Sequence, residues 1–159
     1  MAMSLLIMAT LQAAQPQPPR DPLDWLVRDW SCRAERPASG PVWRVLAIER
    51  ESGGLGGTIA RERFSLGRRD TVPEARLRIH GGILLLRYPP AFDVATEYRL
   101  VESARGSAVF ETGARVVPQR IAFRLTPLGM TVTMAQRDGS LAASTSYYRP
   151  GLRMAAGGC

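Results

Sequence analysis

From Trp30 to Tyr148 the chain repeats one kind of unit: a short run in which apolar and polar side chains alternate, then a break of Gly, Pro, Ser or Asp. Alternation with period two is the pattern of a strand with one face buried, and it excludes a body built of helices. The runs are WSCRAE, VWRVLAIE, GTIARERF, EARLRIH, ILLLRY, TEYRLVE, SAVFET, RIAFRLT, MTVTMAQ and LAASTSYY. The breaks are RPASGP, SGGLGG, LGRRDTVP, HGG, PPAFD, SARG, GARVVPQ, PLG and RDG. About ten strands, spaced roughly 9 to 12 residues apart, give the cadence of an all-β sandwich or barrel. No helical crossover separates them, so neighbouring strands are antiparallel. Closing such a meander removes its edges, and the expected fold is an up-and-down antiparallel barrel of about 8–10 strands.

Parity says which side chains face inward. Ala75, Leu77 and Ile79 oppose Arg76, Arg78 and His80; Ile121, Phe123 and Leu125 oppose Arg120 and Arg124; Met130, Val132 and Met134 oppose Thr131 and Thr133. Tyr98 with Leu100, and Ala108 with Phe110, join the inner set. Ahead of the strands, DPLDWLVRDW predicts a short helix of about two turns, with Asp21 as its cap and Pro22 at its first position.

The 159 residues are of one-domain length. Residues 1–14 read as a signal peptide, because Met3 to Leu11 is apolar yet too short to span a bilayer and small residues follow. Residues 15–20 are a Pro-rich spacer, 21–150 the barrel and 151–159 a loose tail. That places the protein in the periplasm or outside the cell, where Cys32 and Cys159 could pair; a buried Cys32 beside a frayed terminal thiol is the other reading. No later stretch is a transmembrane helix. The net charge is +7, and its basic groups are arginines scattered among 14 acidic residues. An anionic surface is thus a candidate partner, while the absence of a compact basic run argues against nucleic acid.

Much catalytic chemistry lacks its parts. His80 is the only histidine and adjoins a turn. No G-x-S-x-G elbow exists, and ligand sets for a metal are not present in the sequence pattern. SGGLGGT puts Ile59 where a dinucleotide loop needs its third glycine, and it leads into a strand. Glu49, Glu51 and Glu62 flank that hairpin and read as solvated acids. No cofactor is expected.

LVRDW, Leu26 to Trp30, resembles the L-x-G-x-W opening of calycin-type barrels, with Arg28 in place of Gly. The resemblance implies that Arg149, in SYYRP, lies across Trp30 and closes one barrel end. LDWLVRDWSC, GGLGGTIAR, EYRLVES, AVFET and PQRIAFR further resemble the domain-of-unknown-function family 6265, exported single barrels of calycin type. That family's A-H-D-F before PQRI is Ala114, Arg115, Val116 and Val117 here, and its E-E-H-W stretch is Arg44, Val45, Leu46 and Ala47. Its polar site is therefore only half present.

The expected function is binding of a small apolar molecule in the lumen. Tyr98, Phe110, Phe123, Met130 and Met134 would line it, with Gln119 and Trp43 near the mouth. The same residues would otherwise form a packed core, leaving an envelope interaction module with a basic outer wall. Pro118 cannot donate to a ladder, so RVVPQR reads mainly as the entry to a strand.

Overall fold

The computed structural model describes residues 21–34, 42–65 and 68–149. The described residues form ten strands: β1 (Arg28–Ala34), β2 (Val42–Glu51), β3 (Gly54–Ser65), β4 (Arg68–His80), β5 (Ile83–Arg87), β6 (Thr96–Ala104), β7 (Ser107–Glu111), β8 (Arg120–Leu125), β9 (Gly129–Ala135) and β10 (Leu141–Tyr148). Each pairs antiparallel with its neighbours in sequence, and β10 pairs back onto β1, so the sheet is a closed up-and-down barrel. The expected signal peptide and spacer, residues 1–20, and the expected tail, 151–159, lie outside the described residues. No helix among the described residues is long and apolar enough to cross a membrane.

The barrel has two unlike ends. At the closed end the connections are tight. Ser52-Gly53, Gly81-Gly82 and Arg105-Gly106 join their strands, and Gly53, Gly81, Gly82 and Gly106 all have positive φ. Gly81 and Gly82 are at +55° and +76°, the two successive positive values that a two-residue turn matched to strand twist requires. At the other end, the mouth, the connections 88–95, 112–119 and 136–140 are longer.

The expected two-turn N-terminal helix does not form. A single 3-10 turn, Asp24–Leu26, stands in its place. Asp21 does act on the chain start: its carboxylate accepts from the backbone N–H of Leu23 at 2.8 Å. The turn stops because β1 begins at Arg28, and because the Leu26 carbonyl accepts the indole N–H of Trp30 at 3.1 Å. Arg50 at the end of β2 pairs with Asp24 and pins the turn across the closed end. Leu23, Leu26 and Trp30 are thereby buried, the last two with no exposed surface.

Inside, alternation does what the sequence predicts. Leu46, Ile48, Leu77, Ile79, Leu84, Leu86, Ile121, Phe123 and Val132 form one continuous apolar cluster with Tyr98, Phe110 and Met130. Phe110 and Phe123 meet edge to face, centroids 6.0 Å apart, the arrangement that the ring quadrupoles favour. The centre of the lumen is filled. The void left among Leu46, Leu77, Leu86, Ile121 and Phe123 is only about 10 Å³. That is at or below the space one water needs, and its lining is apolar, so it is dry.

Two breaks proposed from composition are strand instead. Gly54 to Gly57 belong to β3 and Arg68 to Pro73 to β4. At Gly54 a Cβ would sit 2.1 Å from the Ile79 carbonyl oxygen, so glycine is required here by close strand approach and not by a turn.

Candidate functional site

The mouth opens into a cavity of about 290 Å³, lined by Ile59, Ala75, Val132, Met134, Ala143 and the Tyr88 ring, with Arg44, Glu74, Thr145 and Tyr147 as its polar members. The polar members come from β2, β4 and β10, brought together by closure of the barrel.

Arg44 and Arg61 are register partners on β2 and β3, next to the inward pair Leu46 and Ile59, so both point toward the lumen. Glu74 reaches them through a bulge. The β3–β4 register runs Ile59↔Ala75 and then Ala60↔Pro73, leaving Glu74 as the extra residue. A bulge lets two successive side chains turn to one side, and here Glu74 joins Ala75 on the inner face. The Glu74 carboxylate accepts from Arg44 Nε at 2.7 Å and from Arg61 Nε at 2.8 Å. Burial would raise its pKa, but the two guanidinium hydrogen bonds and charges outweigh burial and hold it below the usual carboxylate range. The group is ionised at neutral pH, and the three side chains together carry one net positive charge.

Tyr147 is 3% exposed, and burial pushes its hydroxyl up to about 12. At neutral pH it is therefore a donor. Among the described residues its hydroxyl has no hydrogen-bond partner. Arg44 commits only Nε to Glu74, so its two terminal nitrogens remain available as a planar fork of donors. The cavity thus offers apolar walls, a buried phenolic donor and an unspent guanidinium edge.

The lining residues expected from sequence divide among four places: the cavity, the packed interior, the mouth loops and the outer face of β2. Met134 lines the cavity. Tyr98, Phe110, Phe123 and Met130 lie in the packed interior below it. The Tyr98 hydroxyl donates to the Pro118 carbonyl at 2.9 Å, tying RVVPQR to the inside of β6; the nearest strand, β8, starts two residues later. Gln119 staples the mouth loops: its amide donates to the Ala114 carbonyl and accepts from the Arg137 N–H. Trp43 lies on the face of β2 opposite to Arg44 and Leu46, half-buried and paired in register with Glu62. Glu62 itself is buried and bonded to Arg69. His80 is exposed at a closed-end turn, against the Gly53 carbonyl. Cys32 is disulfide-bonded, and Cys159 lies outside the described residues. The one residue pair at the β1–β10 seam is Ser31↔Tyr148, which puts Arg149 across from Trp30; Arg149 is exposed.

Sequence reading missed Arg44, Glu74, Thr145 and Tyr147 as a group. Parity marks Arg44, two residues before Leu46, as inward. Nothing in the sequence places it beside β10.

Fold and cavity together define a closed ten-stranded antiparallel barrel with a filled centre and a small donor-lined cavity at one end. No protein-family model, curated protein or solved structure matches the chain.

Proposed function

We propose that this protein is an exported barrel of calycin type that binds a small, largely apolar molecule at its mouth, and that the molecule carries one anionic or strongly accepting group. The supporting observation is Tyr147, a buried side chain that lines the cavity, whose hydroxyl is held protonated and has no partner among the described residues. A donor that faces the cavity with no protein partner is free to bond a ligand acceptor, at a net gain of roughly 0.5–1.5 kcal/mol. The Arg44 fork beside it suits a carboxylate in the two-point geometry. The ligand's apolar body would rest on Ile59, Val132, Met134 and Ala143. The volume sits at the small end of ligand sites, which limits the guest to a compact molecule. The expected closure by Arg149 over Trp30 belongs to the same reading; the seam pair Ser31↔Tyr148, one residue from each, is compatible with it.

Calorimetric titration with a medium-chain carboxylic acid and with the alcohol of equal length tests the reading. The acid is expected to bind the more tightly. Tyr147→Phe and Arg44→Gln should each weaken it by about three- to tenfold, with little effect on the alcohol. Equal binding of acid and alcohol, or binding that survives Met134→Trp, which fills the cavity, would contradict it.

A further inference from the structure

We propose that the mouth end of the barrel is a docking face for an anionic lipid bilayer. The first observation is where apolar side chains are left in water. Seven large hydrophobics are exposed among the described residues, and five of them, Val72, Tyr88, Val94, Val117 and Leu141, lie at the mouth end. They come from the β3–β4 ribbon, the loops 88–95 and 112–119, and the start of β10, so they ring the opening instead of forming one core extension. Val94, Val117 and Leu141 are 67%, 65% and 63% exposed. Apolar surface gathered at one end of a small protein marks a contact with something apolar.

The second observation is charge. Arg63 and Arg68 on the ribbon, Arg115 in the loop 112–119 and Arg137 in the loop 136–140 are all exposed, and none is in an ion pair among the described residues. Much of the acid at this end is already committed: Glu62 to Arg69, Glu74 to Arg44 and Arg61, and Glu111 to Arg120. Among the described residues, the carboxylates left to oppose these arginines are Asp70, across the ribbon from Arg63, together with Asp93 and Asp138. Asp138 is already held by the Ser140 N–H.

Exposed valines and leucine interleaved with arginines are what a shallow interfacial contact needs. The apolar tips enter the headgroup region, and the guanidiniums meet lipid phosphates. The closed end offers the contrast in apolar surface: Arg28, Arg105, Arg124 and Arg149 are exposed there without an ion pair among the described residues, but its turns are tight and it exposes only two large hydrophobics, Val101 and Leu128. Docking by the mouth would set the cavity against the phase in which an apolar guest is dissolved. The inference adds a partner to the binding reading and stands without it.

Co-sedimentation of the chain with vesicles tests it. Binding to vesicles containing phosphatidylglycerol is expected, with none to pure phosphatidylcholine. It should fall as salt shortens the screening length from about 10 Å at 0.1 M toward about 3 Å at 1 M. Arg115→Glu with Arg137→Glu should lower partitioning by about fivefold or more for each charge reversed. Val117→Asp should weaken it while leaving carboxylate titration in free solution unchanged, which separates failure of docking from failure of the cavity. Val101→Asp and Leu128→Asp, at the closed end, should leave vesicle binding intact, with melting curves confirming that all variants fold. No association with anionic vesicles at low salt, equal association with neutral ones, or equal losses from closed-end substitutions would overturn the proposal.

Discussion

Tyr147 and Tyr98 set the alkaline limit of this barrel. Burial raises both to about 12, from an ordinary value of 10.0, with the charge of Tyr88 adding to the effect on Tyr98. Above pH 10 the unfolded chain loses these protons first, so unfolding gains free energy as pH rises from 10 to about 12. Each group accounts for about 2 kcal/mol across that window. Tyr147→Phe should therefore melt more nearly alike at pH 9 and pH 11 than the parent does; an unchanged alkaline slope would refute the assignment. Glu74 acts at the other limit and with the opposite sign. Its folded pKa is depressed, so its stabilising effect is complete above the ordinary carboxylate value and is lost as pH falls through the lower folded one. Its arginine partners are well exposed, so solvent screening keeps the effect small, about 1 kcal/mol or less. Glu74→Gln should flatten the acid slope of the melting temperature below pH 4.5.

At the scale of elements, the bulge in β4 is what builds the cavity. In EARLRIH, strict alternation puts Glu74 on the outer face with Arg76 and Arg78, since Ala75 is inward. The extra residue overturns that assignment. Its only trace in the sequence is Pro73, whose missing N–H suits a bulge. A register shift depends on the partner strand, so one strand's composition cannot show it. The remaining alternation was legible because it is local: each strand's inward residues follow from its own spacing, and the order of strands follows from the short turns between them. Asp21 and Pro22 satisfy the capping rules for a longer N-terminal helix, but the Trp30 indole and an early β1 leave room for one turn only. Composition alone points to a turn at Gly54, whereas close strand approach is what requires glycine there. Its role makes a sharp prediction: Gly54→Ala should destabilise more than Gly81→Ala. At Gly54 the added Cβ meets backbone, whereas at Gly81 it meets nothing within 4 Å and the cost is that of positive φ, about 1–2 kcal/mol. Chemical denaturation of the two variants orders them, and the reverse order would remove the close-approach argument.

For the molecule as a whole, the division of labour runs along the barrel axis. The closed end and the centre are packed by Trp30, Phe110, Phe123 and their neighbours, and they hold the fold; the void there is too small for a guest. The mouth carries the longer loops, the donor-lined cavity and most of the exposed large hydrophobics among the described residues. Of the ligand-lining residues expected from sequence, Met134 alone reaches the cavity, and Tyr98, Phe110, Phe123 and Met130 are core. Parity can say that a side chain points inward, but how deep it sits depends on strand tilt and stagger, which belong to the closed barrel. The most direct test of this division is amide chemical-shift mapping during titration with a medium-chain carboxylate. The account predicts that the shifts gather on Arg44, Glu74, Met134, Thr145 and their strand neighbours, while Trp30, Phe110 and the closed-end turns stay still. Shifts centred on Phe110 and Phe123, or no saturable change anywhere, would contradict it.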